Sequence, residues 1–403
     1  MKNFFYFVTI SIVIFYSSLN AQWVHLSGGL ENKIVSELAY DQQTLYAGSD
    51  SLFISTDQGI SWLRPDSTIL AVNAFAFGDE LDVFAGTGGF GIYRSTNGGL
   101  NWAPVNSGLT NTYVGSLAST DTNLFAGTEG GVFLSTNNGS LWVEVNSGLT
   151  NQIILSLSAN PLNVFAGSYG GGVFVSSNNG STWSSANSGL TYPIVNTLAL
   201  AGETVFAGTP SRGVFRTTDN GSNWTQINFG LTDTSINTIS IIGMNIFTST
   251  QGGVFLSSNN GDSWLNVSSG LPNNYPVLGF AFDSTFIYAG LYYGGVWRRP
   301  LSEMITGIDE HGGEIPYQFI LTQNFPNPFN PSTKIKYSIP QSSNVMIKVF
   351  DILGNEIETL VNEEKPRGSY EITWYAEDLP SGVYFYNINA GSFVETKKMI
   401  LLK

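Results

Sequence analysis

The sequence reads as all-β, and three observations carry that reading. Trp62, Trp102, Trp142, Trp183, Trp224 and Trp264 recur at intervals of 40, 40, 41, 41 and 40 residues, and Trp23 lies 39 before the first. A second series runs in phase with them: Thr44–Gly48, Asp82–Gly86, Asn123–Gly127, Asn163–Gly167, Thr204–Gly208, Asn245–Ser249 and Phe286–Gly290, most of them of the form x-Val/Leu-Phe-Ala-Gly. Glycine makes up 45 of the 403 residues, with no collagen period. That is well above the usual share of about 7% and signals many tight turns. A period near 40 with short apolar strands and glycine-rich turns predicts a β-propeller of four-stranded blades.

Each repeat can be justified strand by strand. In the third, Tyr113–Ala118 supplies an inner strand and Asn123–Gly127 the second. Gly130-Gly131 turns the chain into a third strand at Val132-Phe133-Leu134, and Trp142–Val145 is the outer strand. Asn137-Asn138-Gly139 makes the hairpin between them, because Asn and Gly tolerate positive φ. Asn146-Ser147-Gly148-Leu149 leads to the next blade. The seventh repeat, Pro276–Arg299, has no octet and no outer strand, whereas Gln22–Leu26 is an outer strand with nothing before it. The expectation is a seven-bladed ring over residues 22–300 in which the strand of Trp23 completes the last blade near Arg299, removing the last sheet edge.

The six tryptophans close octets of one pattern. They are Ser55-Thr-Asp-Gln-Gly-Ile-Ser-Trp62, Ser95-Thr-Asn-Gly-Gly-Leu-Asn-Trp102, Ser135-Thr-Asn-Asn-Gly-Ser-Leu-Trp142, Ser176-Ser-Asn-Asn-Gly-Ser-Thr-Trp183, Thr217-Thr-Asp-Asn-Gly-Ser-Asn-Trp224 and Ser257-Ser-Asn-Asn-Gly-Asp-Ser-Trp264. They resemble the Asp-box (BNR) repeats of sialidases, sortilin-type propellers, xyloglucanase propellers and photosystem II assembly-factor propellers. The resemblance covers about residues 22–300 and implies the fold; it is nearly silent on function, because the box is a structural hairpin. The box aspartate is kept at Asp57 and Asp219 and is Asn97, Asn137, Asn178 and Asn259 elsewhere. A small polar cap that bonds its own loop tolerates that exchange, whereas a site needing charge for a metal would not. The tryptophans are expected to be core staples between blades.

Composition changes after Pro300. Residues 301–318 read as a linker, and 319–403 as a small Ig-like β-sandwich, with alternating strands at Ile335–Ile339, Val345–Phe350, Ser369–Tyr375, Val383–Asn389 and Val394–Leu402. Asn324-Phe-Pro-Asn-Pro-Phe-Asn330, Val349-Phe-Asp-Ile-Leu-Gly354, Leu379-Pro-Ser-Gly-Val-Tyr-Phe385 and Lys397-Lys-Met-Ile-Leu-Leu-Lys403 make this segment resemble the type A C-terminal sorting domain of the bacterial type IX secretion system. The resemblance implies the type IX machinery as a partner, removal of the tail, and cargo that is released or attached to cell-surface lipopolysaccharide.

The N-terminus fits that route. Lys2, the apolar run Phe4–Tyr16 and the small residues up to Ala21 read as a secretory signal peptide over residues 1–21. The run is too short for a comfortable membrane span, which needs about 20 residues, and no later stretch is long and apolar enough for one. A retained anchor is the alternative. The net charge is −14, from 16 Lys+Arg and 30 Asp+Glu, and this excludes the basic stripes of a nucleic-acid binder. Zero cysteines exclude disulfides, thiolate metal sites and thiol nucleophiles, and two histidines exclude a histidine-rich metal site. No cofactor is expected.

The sequence offers little for catalysis. A sialidase needs three arginines converging on a carboxylate, but Arg64, Arg94, Arg212, Arg216, Arg298 and Arg299 are scattered, and the last two would face opposite sides of one strand. Glu37, Asp50, Glu129 and Asp233 could supply the carboxylate pair of another glycosidase, though each sits where a solvated surface charge is expected. Binding is the favoured reading. The loops joining second to third strands, and outer strand to next blade, share one face of a propeller. Here they collect Phe90, Tyr113, Tyr169, Tyr192, Tyr275, Tyr292 and Tyr293, with Arg212 among them. Such rings suit stacking on sugars or gripping peptides, although they could also merely pack loop against loop. The expectation is a secreted or cell-surface binding or scaffold protein for a polysaccharide or protein, with no metal and no catalytic residue; the alternative is an extracellular glycan-active enzyme.

Overall fold

The computed structural model describes residues 22–26, 28–78, 81–120, 123–273, 275–305, 319–339, 343–365, 368–391 and 393–403. The expected signal peptide and most of the expected linker lie outside these residues. The described residues contain strands, turns and one 3-10 turn at Leu301–Glu303, and no α-helix.

Between residues 24 and 300 the strands form seven antiparallel sheets, numbered here in chain order. The third is representative: Val114–Ser119 is innermost, then Leu124–Thr128, Gly131–Ser135 and the short outer Val143–Glu144. Residues 124–128 are buried at every position, because a sheet covered on both faces needs an unbroken apolar strand and not an alternating one. The same holds for Val83–Thr87 and Val164–Ser168. The buried clusters combine neighbouring sheets: Phe84, Val114, Phe133 and Trp142 join sheets 2 and 3, and Phe125, Ile154, Phe174 and Trp183 join sheets 3 and 4. The core therefore lies between sheets. The inner strands touch in series from Glu37–Asp41 of sheet 1 to Val277–Phe282 of sheet 7, and these two touch each other.

Sheet 7 is made from distant parts of the chain. Val24–Leu26 pairs antiparallel with Gly295–Pro300, Val24 opposite Arg298 and Leu26 opposite Val296. Arg298 lies over the Phe286 ring and donates to the Gln58 carbonyl of sheet 1, while Arg299 donates to the Val267 carbonyl on the other side. The body extends past Pro300, where the sequence places a linker. Leu301 and Ile305 are buried in the cluster that joins sheets 6 and 7, because the 3-10 turn folds these apolar side chains back, and Arg299 pairs with Glu303. Sheet 1 has three strands, with its outer strand reduced to one bridge between Ile54 and Leu63.

Residues 320–401 form two further sheets around a separate core that includes Ile335, Ile347, Trp374, Tyr386 and Met399. One sheet holds Ile320–Leu321, Ser332–Ile339 and Gly368–Tyr375; the other holds Glu356–Lys365, Ser343–Phe350, Gly382–Ala390 and Phe393–Leu401. The strand Glu356–Lys365 is absent from the sequence reading. It is a mostly exposed edge whose acidic residues break the alternation, as edge strands commonly do. The Asn324 motif fastens the segment: the Asn324 side chain donates to Thr333 and to the Pro326 carbonyl, and its amide donates to the Tyr386 hydroxyl.

Candidate functional site: a variable loop face opposite a repeated hairpin face

The octets build one face of the ring. In each, the Ser or Thr hydroxyl donates to the side-chain oxygen two residues on at 2.7–2.9 Å. The same hydroxyl accepts from the glycine amide four residues on at 2.8–3.0 Å. The Asp or Asn oxygen in turn accepts from the amide four residues beyond it at 2.8–3.0 Å. Both central residues of the turn have positive φ, as at Asn138 (54°) and Gly139 (78°), which is the geometry of a tight hairpin. One neutral oxygen serves the motif as well as a carboxylate, and this explains why Asn97, Asn137, Asn178 and Asn259 stand beside Asp57 and Asp219. Among the described residues no group of three or more His, Cys, Asp or Glu could hold a metal ion.

Most of the octet tryptophans leave their own sheet. Trp142, Trp183, Trp224 and Trp264 donate their indole N–H to Val105, Val145, Ala186 and Ile227, carbonyls of the preceding blade's exit strand. Trp23 donates likewise to Val267 at 2.8 Å. The backbone joins in: the amides of Trp142, Trp183, Trp224 and Trp23 donate to Ser107, Ser147, Ser188 and Ser269. Trp102 instead bonds Gly99 of its own turn, and the buried indole nitrogen of Trp62 has no partner.

The opposite face carries the loops. Phe90, Tyr113, Tyr169, Tyr275, Tyr292 and Tyr293 are 42–55% exposed, Arg212 is exposed and Tyr192 is half-buried. About half of each of the first six side chains is therefore open to solvent. Only Tyr292 and Tyr293 touch ring to ring among the seven rings, edge-on at 4.7 Å. Tyr293 has φ +62°, a left-handed conformation rare for an aromatic residue, so its ring is held out at a local cost of order 1 kcal/mol. The others sit at separate joints: Tyr113 pairs with Gly88, and Tyr169 with Ile194. The carbonyls of Phe90 and Arg212 are tied to Asn106 and Asn228 of the exit loops. Tyr275 and Tyr192 each line a shallow cleft, of about 280 and 210 Å³. Phe229, outside the expected set, is 80% exposed and stands where the other exit loops have Ser107, Ser147, Ser188 and Ser269; that departure from serine is its signal in the sequence.

The acidic candidates separate. Asp50 pairs with Lys33 at 2.8 Å, Asp233 accepts from the Ser235 amide, and Glu129 is exposed. Glu37 does not fit the expectation of a solvated charge. It lies half-buried on the innermost strand of sheet 1, where the surrounding strands withdraw its carboxyl from water and push it up to about 8, opposed only by a bond from the Leu38 amide. No neighbouring charge contributes to that shift. The matching positions on the other inner strands are small: Ala74, Ser116, Ser156, Thr197, Thr238 and Gly279, each opposite the residue at the end of the Phe-Ala-Gly element.

Comparison with solved structures places this architecture. The extracellular domain named as that of a hybrid two-component system, BT3049 from B. thetaiotaomicron, matches over 92% of this chain and 55% of its own length, at 16% identity and TM-score 0.57. YCF48 bound to a D1 peptide matches over 70% of this chain and 95% of its own, at 13% identity and TM-score 0.55. A GH74 enzyme of Niastella koreensis matches over 67% and 43%, at 16% identity and TM-score 0.52. The chain thus spans little more than half of the BT3049 domain and less than half of the enzyme. No curated protein sequence matches it. These likenesses define an all-β protein of propeller-like fold. Its residues 323–402 belong to the secretion system C-terminal sorting domain family, the sorting domain of type IX secretion, so the protein is cargo of that system, exported to the cell surface or secreted.

Proposed function

We propose that the chain is a seven-bladed β-propeller, closed by the strand of Trp23, which the N-terminal signal and an Ig-like sorting tail deliver outside the cell, where it binds a polysaccharide or protein through its aromatic loop face. The observation that carries this reading is the contrast between the two faces. The octet face repeats one self-contained hairpin six times, whereas the loop face varies in sequence beyond its recurring exit turns and exposes the aromatic rings. The seven sheets, with the first and last inner strands in contact, support the blade count. Trp23 supports the closure, since it bonds its neighbour as the regular octet tryptophans do.

A specific observation favours glycan hydrolysis as the second reading: Glu37 is an acid held protonated near neutral pH, as a general acid must be. Against it stands the lack of any second carboxylate acting on Glu37, since glycosidic cleavage uses a pair. Glycan-array binding and a parallel hydrolysis screen on the secreted protein separate the two. Binding without cleavage is expected. Cleavage that is lost in Glu37→Gln would replace the binding reading with the enzymatic one.

A further inference from the structure

We infer that the clefts of Tyr192 and Tyr275 are paired subsites for one neutral polysaccharide, each taking a short stretch of sugar. The inference rests on the aromatic-face reading and deepens it. The two clefts are built alike. Each lies between the second-to-third-strand loop of one sheet and the exit loop of the same sheet: sheet 4 for the first, sheet 6 for the second. The first is floored by Gly170–Gly172 and walled by Leu190 and Tyr192-Pro193. The second is floored by Gly252-Gly253 and walled by Leu271 and Tyr275-Pro276, with amides from Gln251 and Asn273 at its edge.

Four features select the ligand. No described residue lining either cleft is charged, in a chain of net charge −14, and although Asp233 packs against Gly252 beside the second, the linings themselves offer a charged ligand no ion pair. Tyrosine rings beside side-chain amides suit a flat, polyhydroxylated ring. The volumes fall below the 300–1,000 Å³ typical of pockets that enclose a whole small molecule, so each cleft takes a short unit of something longer. The same chemistry occurs at two joints of one ring, and that matches a ligand with a chemical repeat better than the unique surface of a folded protein. The floor of the first cleft is also fixed in advance, since the Gly170 and Gly172 amides both donate to the Pro193 carbonyl. Two weak subsites on a rigid ring gain affinity for a polymer that reaches both.

The test uses the full secreted chain and calorimetric titration with galactomannan, hydroxyethylcellulose and short neutral oligosaccharides cut from them. Polygalacturonate serves as the charged polymer and poly-L-proline as the peptide. At least one neutral polymer should bind. Tyr192→Ala and Tyr275→Ala should each weaken polymer binding about tenfold, and the double variant about a hundredfold. With the short oligosaccharide, stoichiometry should fall from two per chain to one in each single variant. Tyr192→Phe and Tyr275→Phe keep the ring and should stay within about threefold of the parent, which guards against loss by misfolding. Preference for polygalacturonate or poly-L-proline, or no neutral binding at all, overturns the inference. So does neutral binding that ignores both tyrosines. In that last case, loss in Phe90→Ala, Tyr113→Ala or Tyr292→Ala would leave the aromatic face standing and remove only the paired clefts. Binding untouched by all of these changes would remove both.

Discussion

Sheets 7 and 1 are neighbours in the ring, and they invert the expectation from chain order. Sheet 7 is assembled from residues about 270 apart in sequence, yet its outer joint follows the common rule: Trp23 donates to Val267, its amide reaches Ser269, and Gly270 lies against its backbone. Sheet 1 is contiguous, yet it is the irregular one. Its outer strand is a single bridge, its Trp62 nitrogen is unpartnered, and the next tryptophan, Trp102, bonds its own turn. The regular joint therefore depends on the exit loop and not on the octet. Asn146-Ser-Gly-Leu149 presents a carbonyl, a tight glycine turn and an Asn side chain that accepts from the Val132 amide and donates to the Gly130 carbonyl. The exit from sheet 1, Arg64-Pro-Asp-Ser-Thr-Ile-Leu70, has none of this pattern, and Arg64 instead bonds Ser51 and the Ser67 carbonyl.

The sharpest way to break the comparison is to truncate the two tryptophans. Trp23→Ala removes a 3%-exposed indole, its bond to Val267 and the anchor of the closing strand. A loss of about 3–5 kcal/mol is expected, at the top of the range for large core truncations. Trp62→Ala should cost clearly less, because its ring is half-buried and its nitrogen bonds nothing. Denaturant unfolding of both variants checks the ranking, and equal losses would mean that sheet 1 is sealed as tightly as sheet 7.

The exit-loop glycines give the next largest contrast. Gly148 has φ +92°, and a Cβ there would lie 2.2 Å from the Trp183 carbonyl oxygen. Gly148→Ala should therefore cost about 2–4 kcal/mol, combining left-handed strain with a backbone clash. The corresponding Gly29, at φ +99°, has nothing within 4 Å of its added Cβ, so Gly29→Ala should cost only the backbone strain of about 1–2 kcal/mol. Similar losses at both positions would show that the approach of exit loop to tryptophan is not what makes Gly148 obligatory.

These contrasts also mark how far the sequence could be read. The repeat, the hairpins and the strand of Trp23 were legible because each is written in local residues at a fixed spacing. The partners of Trp62 and Trp102 were not, since their octets match the others and the difference lies in loops some 35 residues upstream. The edge strand Glu356–Lys365 was hidden by its own acidic residues, which keep it soluble and erase its alternation. The aromatic loops could be assigned to a face, but which rings line clefts depends on loop paths that composition does not encode. Glu37 looked like any surface acid. Its partial burial exists only once the inner strands close around it.

Glu37 adds a smaller and pH-dependent break, again in sheet 1. Its folded pKa of about 8 lies above its ordinary value of 4.5, so the folded state holds a proton that the unfolded chain releases. Below pH 4.5 both states are protonated and the site is neutral to stability. Between pH 4.5 and 8 the unfolded state gains by ionising, so stability falls as pH rises; above 8 the penalty is complete. Glu37→Gln removes the ionisation. The variant should match the parent at pH 4 and exceed it by ~1 kcal/mol or more at pH 8, as read from melts across that range. A constant difference at all pH values would mean that the Glu37 carboxyl is solvated.

The smallest effect isolates the indole nitrogens. Trp142→Phe keeps most of the buried ring but leaves the Val105 carbonyl without its donor, and Trp62→Phe removes a nitrogen that has no acceptor. The first should cost about 1–2 kcal/mol beyond the change in ring size, since an acceptor loses its bond. The second should cost less than about 0.5 kcal/mol and could be stabilising, because a buried polar group without a partner is itself unfavourable. Both substitutions make the same change of ring, and Trp142 is the more deeply buried of the two. Their difference is therefore an upper bound on the indole-to-carbonyl bond that joins one blade to the next. A difference near zero would shift the strength of the regular joints from that bond to the packing of Phe125, Phe133 and their repeats between the sheets.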